Sequence, residues 1–157
     1  DGYIFSDKIS GNIGISDTTI DIDSVKYAAK LSNIDNWINE LPLGYDTKIG
    51  MEGHGLSSGQ KQRILIARAV YKNAKYLFFD EATNALDANN EAEILDNLYK
   101  LFSGRTVIIV AHRLSTVKNA DNIIVLHNGV IVEEGKHDAL ISKHGYYYKL
   151  IKNQLKI

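Results

Sequence analysis

Two short apolar runs each end in residues that could do chemistry. Tyr76-Leu77-Phe78-Phe79 stops at Asp80-Glu81, and Thr106-Val107-Ile108-Ile109-Val110-Ala111 stops at His112. An acid directly behind an apolar run can hold Mg²⁺, usually through water, while a substrate phosphate supplies further oxygens. The next acid can polarise an attacking water, general-base help typically worth ~10²–10⁴ in rate. A third candidate lies upstream. Gly55-Leu56-Ser57-Ser58-Gly59 fits G-x-S-x-G, the turn that presents a nucleophilic serine, and Asp80 and His112 follow in the order such a triad needs. Extended to LSSGQKQR, the same stretch also reads as a helix start, whose free N–H groups and serine hydroxyl suit phosphate.

The flanks weigh these readings. A nucleophile elbow needs a strand running into its first glycine, and DTKIGMEGH is polar and glycine-rich without a strand period. Ser57-x-x-Gln60 has the form of a capping box. That accounts for Ser57 and Gln60 structurally but not for Gly59, which costs up to ~1 kcal/mol inside a helix relative to Ala. A glycine there makes sense where something approaches the backbone closely. Taken singly, Asp80-Glu81 are turn acids and His112 a rim residue; taken together, in matching positions, they favour a site. No G-x-x-x-x-G-K-[ST] occurs: Gly50 and Gly55 have the spacing, but Leu56 stands where the lysine is needed. H-E-x-x-H and paired-cysteine metal patterns are also missing.

Several elements must position these residues. Residues 1–22 read as loop with one short helix. Residues 23–41 carry helical spacing at Val25, Ala28, Ala29, Leu31, Ile34, Trp37, Ile38 and Leu41, ended by Pro42. Residues 43–56 read as glycine-punctuated loop. From Ser57 to Asn73 the pattern predicts a helix, with Ile64, Leu65, Ile66, Ala67 and Val70 inward. The runs 76–79 and 106–111 suit strands buried on both faces, as in parallel sheets. Residues 88–102 between them repeat apolar positions at helical spacing. Strand, helix, strand reads as one βαβ unit, which places both strand ends on one sheet edge, where α/β folds collect ligands. Asn128-Gly129 between apolar runs predicts a hairpin. The tail from Asp138 reads as two short helices broken near Gly145.

The chain has 157 residues, 45% hydrophobic and 24% charged, enough for one domain with a real core. A net charge of -1 argues against bulk electrostatic binding of nucleic acid. There is no cysteine, so disulfides and thiolate metal sites are excluded. No apolar run approaches membrane-spanning length.

LSSGQKQRILIARAVYKNAKYLFFDEATNALD resembles, in unbroken order, the signature, connecting helix, Walker B strand and D-loop of ATP-binding cassette (ABC) ATPases. VIIVAHRLSTV resembles that family's switch-histidine segment, and DNIIVLHNGVIVEEGKHDALI its C-terminal hairpin and following helix. DGYIFSDKISGNI is similar to the segment just after its Q-loop glutamine. The resemblance covers essentially the whole chain. It implies an α/β, P-loop NTPase-like ABC ATPase domain of which residues 1–157 are the C-terminal portion. About 1–56 would belong to the helical subdomain and the loop to the signature; 57–157 would carry the signature helix, Walker B, D-loop, switch histidine and C-terminal hairpin. The Walker A part is expected upstream, outside this chain.

By this resemblance two such domains face head to tail around two ATPs. Ser57, Ser58, Gly59 and Gln60 would contact the γ-phosphate held by the partner domain. Asp80 would support Mg²⁺ through water, Glu81 would be the general base, His112 would reach the γ-phosphate, and Asp87 would belong to the D-loop, with an N-cap as its plain alternative. ATP and Mg²⁺ are the implied cofactors. A second ABC ATPase domain and a transmembrane domain are the implied partners, at the cytoplasmic face of a bacterial plasma membrane, with no nucleic acid. Three positions depart from the family pattern: Ser58 for a second glycine, Asn84 for the D-loop serine, and Met51 for a glutamate, with Glu52 one place later. The last lies in a loop thought to touch the membrane domain. LPLGYDTKIG, including Tyr45, is similar to exporters, and most to bacterial peptidase-containing exporters of bacteriocin-type peptides. The expected function is the ATP-hydrolysing motor of a membrane exporter of a peptide or small molecule. The rivals are a non-transport ABC ATPase, a serine hydrolase, and a folded interaction module without activity of its own.

Overall fold

The computed structural model describes residues 2–15, 17–51, 53–80, 94–99, 102, 104–111 and 114–155. The chain divides into two compact units, Asp1–Ile108 and Ile109–Ile157.

The first unit is organised around one long helix. Its elements are β1 (Asp7–Lys8), α1 (Ile9–Ile13), α2 (Ile22–Leu31), α3 (Asp35–Glu40), a 3-10 turn (Gly44–Asp46), β2 (Lys48–Ile49), α4 (Ser58–Tyr71), β3 (Tyr76–Asp80), α5 (94–99) and the start of β4 (Thr106–Val110). α4 has 14 residues and buries Ile64, Ile66, Ala67 and Val70, with Leu65 only half-buried. α1 and α2 pack on it, contributing Ile9, Ile13, Val25, Ala28 and Ala29 to the core. In α5, Ile94, Leu95 and Leu98 are buried, so the apolar spacing expected over 88–102 is used where it is described.

Residues 23–41 were expected to carry one helical stretch; two helices stand there instead. The break is a Schellman motif: Asn33 takes a left-handed φ of 54°, its N–H bonds to Lys30 O (3.0 Å), and the Ile34 N–H bonds to Ala29 O (3.0 Å). The buried Ser32 hydroxyl donates to Ala28 O at 2.9 Å, a carbonyl that also accepts from the Ser32 N–H at 3.1 Å. Asn is one of the few side chains that tolerates this backbone, so a polar residue inside an apolar period ends the helix.

β1 and β2, both expected as loop, pair antiparallel with Asp7 opposite Ile49 and Lys8 opposite Lys48. The Ile9 N–H extends the ribbon to Thr47 O at 3.0 Å. Gly50, at φ 93°, follows so tightly that a Cβ there would lie 2.9 Å from Phe5 O.

β3 and β4 are neighbours in a two-stranded sheet, and the Thr106 N–H donates to Lys75 O at 3.0 Å. The expectation that these strands are buried on both faces is corrected. β3 alternates: Leu77 and Phe79 are buried, whereas Tyr76 and Phe78 are 69% and 73% exposed. β4 also shows an open side at Ile108 and Val110. A continuous apolar run gives the composition of both faces but does not supply the layer that covers the second.

The second unit contains α6 (Leu114–Val117), β5 (Ile123–His127), β6 (Val130–Gly135), α7 (His137–Ser142) and α8 (Tyr146–Leu155). β5 and β6 form the expected hairpin, with a register irregularity between Val125 and Leu126. Asn128 (φ 48°) and Gly129 (φ 79°) are both left-handed, as a two-residue turn matching strand twist requires. Ile123, Val125, Leu140, Tyr147 and Ile151 form its core. α7 and α8 break near Gly145, as the sequence predicts. The Glu133 carboxylate reaches the start of α8, accepting from the Tyr147 N–H at 2.6 Å. Among the described residues no helix is long and apolar enough to cross a membrane.

Candidate nucleotide-contacting site

Ser57, in extended backbone (φ -66°, ψ 160°), is the N-cap of α4. The capping box is complete: the Gln60 N–H donates to Ser57 Oγ (3.2 Å) and the Ser57 N–H to Gln60 Oε1 (2.9 Å). Ser57 and Ser58 are exposed, Gly59 and Gln60 half-buried. The first-turn N–H groups of Ser58 and Gly59 have no acceptor within the helix, and the helix dipole adds partial positive charge there. A Cβ on Gly55 would meet nothing within 4 Å, so space is open in front of the turn. This end of α4 can therefore take an anion.

Capping and anion binding are compatible. The cap uses a lone pair of the Ser57 hydroxyl; its proton remains a separate donor. The serine-elbow reading fails on geometry. Residues 55–57 are not strand, and β2, the strand before them, ends at Ile49.

Asp80 is the last residue of β3 and is exposed. It thus stands at a strand's carboxyl end, reached from α4 through residues 72–75. Glu81, Asp87 and His112, like Asn84 and Glu52, lie outside the described residues. Of the predicted site residues, the structure brings Ser57, Ser58, Gly59 and Gln60 together on one turn and places Asp80 on a separate element. Among the described residues, no cluster of three or more acidic or histidine side chains forms a metal cage. An exposed Asp at a strand end suits Mg²⁺ held largely by water and phosphate oxygens rather than by an all-protein cage.

Sequence reasoning missed the residues that brace α4. Asn12 is fully buried in α1. Its amide donates to Phe5 O (3.0 Å), Lys8 O (3.1 Å) and Asp7 O (3.4 Å), and its Oδ1 accepts from the Phe5 N–H at 2.9 Å. Arg68 of α4 donates Nε to Asn12 O (2.8 Å), Nη2 to Asn12 Oδ1 (3.2 Å) and Nη1 to Tyr3 O (3.0 Å), with its guanidinium 5.6 Å from the Phe5 ring centre. Burial pulls the Arg68 guanidinium below its ordinary pKa. The available signal was Asn12 lying between Ile9 and Ile13 on one buried helix face. Tyr45 donates to Asp35 Oδ1 at 2.5 Å; burial first, then that carboxylate, pushes its phenol well above the usual range.

A family model described as ABC transporter matches residues 2–84. The alpha-hemolysin translocation ATP-binding protein HlyB of Escherichia coli is 50% identical over 154 residues, covering 96% of this chain and 22% of that protein. The toxin RTX-III translocation ATP-binding protein of Actinobacillus pleuropneumoniae is 51% identical over 156 residues, covering 99% and 22%. The leukotoxin translocation ATP-binding protein LktB of Mannheimia haemolytica gives the same identity and coverage. The chain therefore spans 22% of the length of these relatives. Among solved structures, one titled as a bacterial Atm1-family ABC exporter with ATP bound superposes with a TM-score of 0.89 at 42% identity, covering 96% of this chain and 26% of that one.

Proposed function

The chain belongs to the ABC transporter family, and we propose that it serves as the signature, Walker B and switch-histidine part of an ATP-hydrolysing exporter motor. Its fold is that of an ABC ATPase domain. The observation that carries the proposal is the open N-terminal turn of α4, where the Ser57 and Ser58 side chains are exposed and the Ser58 and Gly59 N–H groups have no acceptor within the helix, in a segment matched by the family model.

The roles follow from the chemistry of each residue. Ser57 offers its hydroxyl, and Ser58 its hydroxyl and N–H, to the terminal phosphate of an ATP held by a facing domain, and Gly59 lets that phosphate come close. Gln60 keeps Ser57 in place through the capping box. Asp80 supports Mg²⁺ through water, which offsets phosphate charge when bound. Glu81 takes the proton of the attacking water, and His112 contacts the γ-phosphate. Asp87 contributes to the contact with the facing domain.

Since no P-loop occurs in the 157 residues, a complete site needs a second ABC ATPase domain and sequence beyond this chain. We assign the loop around Met51 to contact with a transmembrane domain, at the cytoplasmic face of a bacterial membrane. A polypeptide cargo is favoured, because the relatives above are named for translocating hemolysin, RTX toxin and leukotoxin.

The test is Glu81→Gln in the complete protein. Mg-ATP turnover should fall by at least ~10² while ATP binding persists. Undiminished turnover would remove Glu81 from its role; no turnover in the unsubstituted protein would overturn the motor itself.

A further inference from the structure

Arg68 and Asn12 together join α4 to the N-terminal segment of the first unit. We infer that this pair is a positioning device: it makes the segment 2–12 move as one body with α4, so that a displacement at the Ser57–Gln60 turn reaches the ribbon and loop behind it. The inference rests on the motor reading above.

The bonding is directional. All three Arg68 nitrogens donate to the N-terminal segment, to Asn12 O, Asn12 Oδ1 and Tyr3 O. Asn12 passes the connection on to Phe5 and Lys8, using both its amide nitrogen and its oxygen. Lys8 belongs to β1, which pairs with β2, and β2 leads into the Gly50–Met51 loop. Arg68 lies ten residues beyond the first residue of α4, or ~15 Å along the axis. A continuous helix therefore separates the anion-facing turn from the Arg68 contacts, and a ribbon separates those contacts from Met51, which is 92% exposed. A planar guanidinium fixed at three acceptors adds a directional restraint to the apolar packing of α4 on α1.

Lysine keeps the charge of Arg68 but loses the fork. Asn12→Asp keeps an oxygen for Arg68 and removes the amide that holds the Phe5, Asp7 and Lys8 carbonyls. Neither side chain touches the proposed ATP contact, so both variants should bind Mg-ATP as the unsubstituted protein does.

The experiment is hydrogen exchange on the complete protein, carrying Glu81→Gln, with and without Mg-ATP. Thermal midpoints of each variant are measured alongside. In the reference protein, Mg-ATP should slow exchange at residues 57–64 and also at 2–12. Arg68→Lys and Asn12→Asp should each keep the slowing at 57–64 but cut that at 2–12 by about threefold to thirtyfold. A structural role alone would raise exchange at 2–12 with and without nucleotide, leaving the ATP-dependent ratio intact. That result overturns the inference, as does slowing at 57–64 without any at 2–12 in the reference protein. No slowing at 57–64 in the reference protein would instead refute the motor reading, and with it this one.

Discussion

At the scale of single residues, Ser57 and Asn12 carry opposite lessons. Ser57 was visible because its chemistry is local: a hydroxyl three residues before a glutamine announces a cap, and both bonds of the box are present. Ser57→Ala should therefore destabilise the first unit by about 0.5–2 kcal/mol, read from urea unfolding of the 157-residue chain. In the complete protein its effect on Mg-ATP turnover should exceed that of Gln60→Ala, which also opens the box but removes no hydroxyl from the turn. Equal effects would reduce Ser57 to a cap. Asn12 could not be placed from sequence, because what it does depends on carbonyls at Phe5, Asp7 and Lys8 and on a guanidinium 56 residues away. A polar residue on an apolar helix face signals that partners exist without naming them.

At the scale of elements, helices and turns were legible wherever local backbone rules decide. α4, the Asn128-Gly129 hairpin and the break between α7 and α8 all follow from caps, periodicity and residues tolerant of positive φ. The division of 23–41 was missed because apolar spacing continues across Asn33, whose conformation is set by the carbonyls before it. The β1–β2 ribbon was missed because two-residue strands have no period. Element ends can also be held from afar. A Cβ on Gly145 would collide with Glu133 Oε1, and that carboxylate's other oxygen accepts from the Tyr147 N–H. Gly145→Ala should push Glu133 off α8 and cost about 1–2 kcal/mol. Combined with Glu133→Ala, it should cost clearly less than the two single changes added together. Additive losses, measured by urea unfolding of the four proteins, would show that Gly145 is required for another reason.

At the scale of the whole molecule, the chain leaves apolar sheet surface open. Phe78 in the first unit is 73% exposed and Leu126 in the second is 66% exposed. Surfaces of this kind promote association. Phe78→Ser with Leu126→Ser should reduce self-association of the 157-residue chain in sedimentation velocity. Each change should shift unfolding free energy by no more than about 0.5 kcal/mol, as expected for positions outside the core. A loss of several kcal/mol would mean that these side chains are covered in solution. The sequence showed that these runs are apolar; only the structure could show that, among the described residues, no layer covers the Tyr76 and Phe78 face of β3.

Trp37 is the only tryptophan in the chain, and its half-buried ring stands 6.2 Å from that of His54. The backbone of His54 closes the loop that carries Met51, through its N–H to Lys48 O at 2.8 Å. All indole emission from these residues thus comes from the foot of that loop. These 157 residues carry their own optical label beside the loop assigned to the membrane domain, and rearrangement of that loop in them can be followed by fluorescence without attaching a dye.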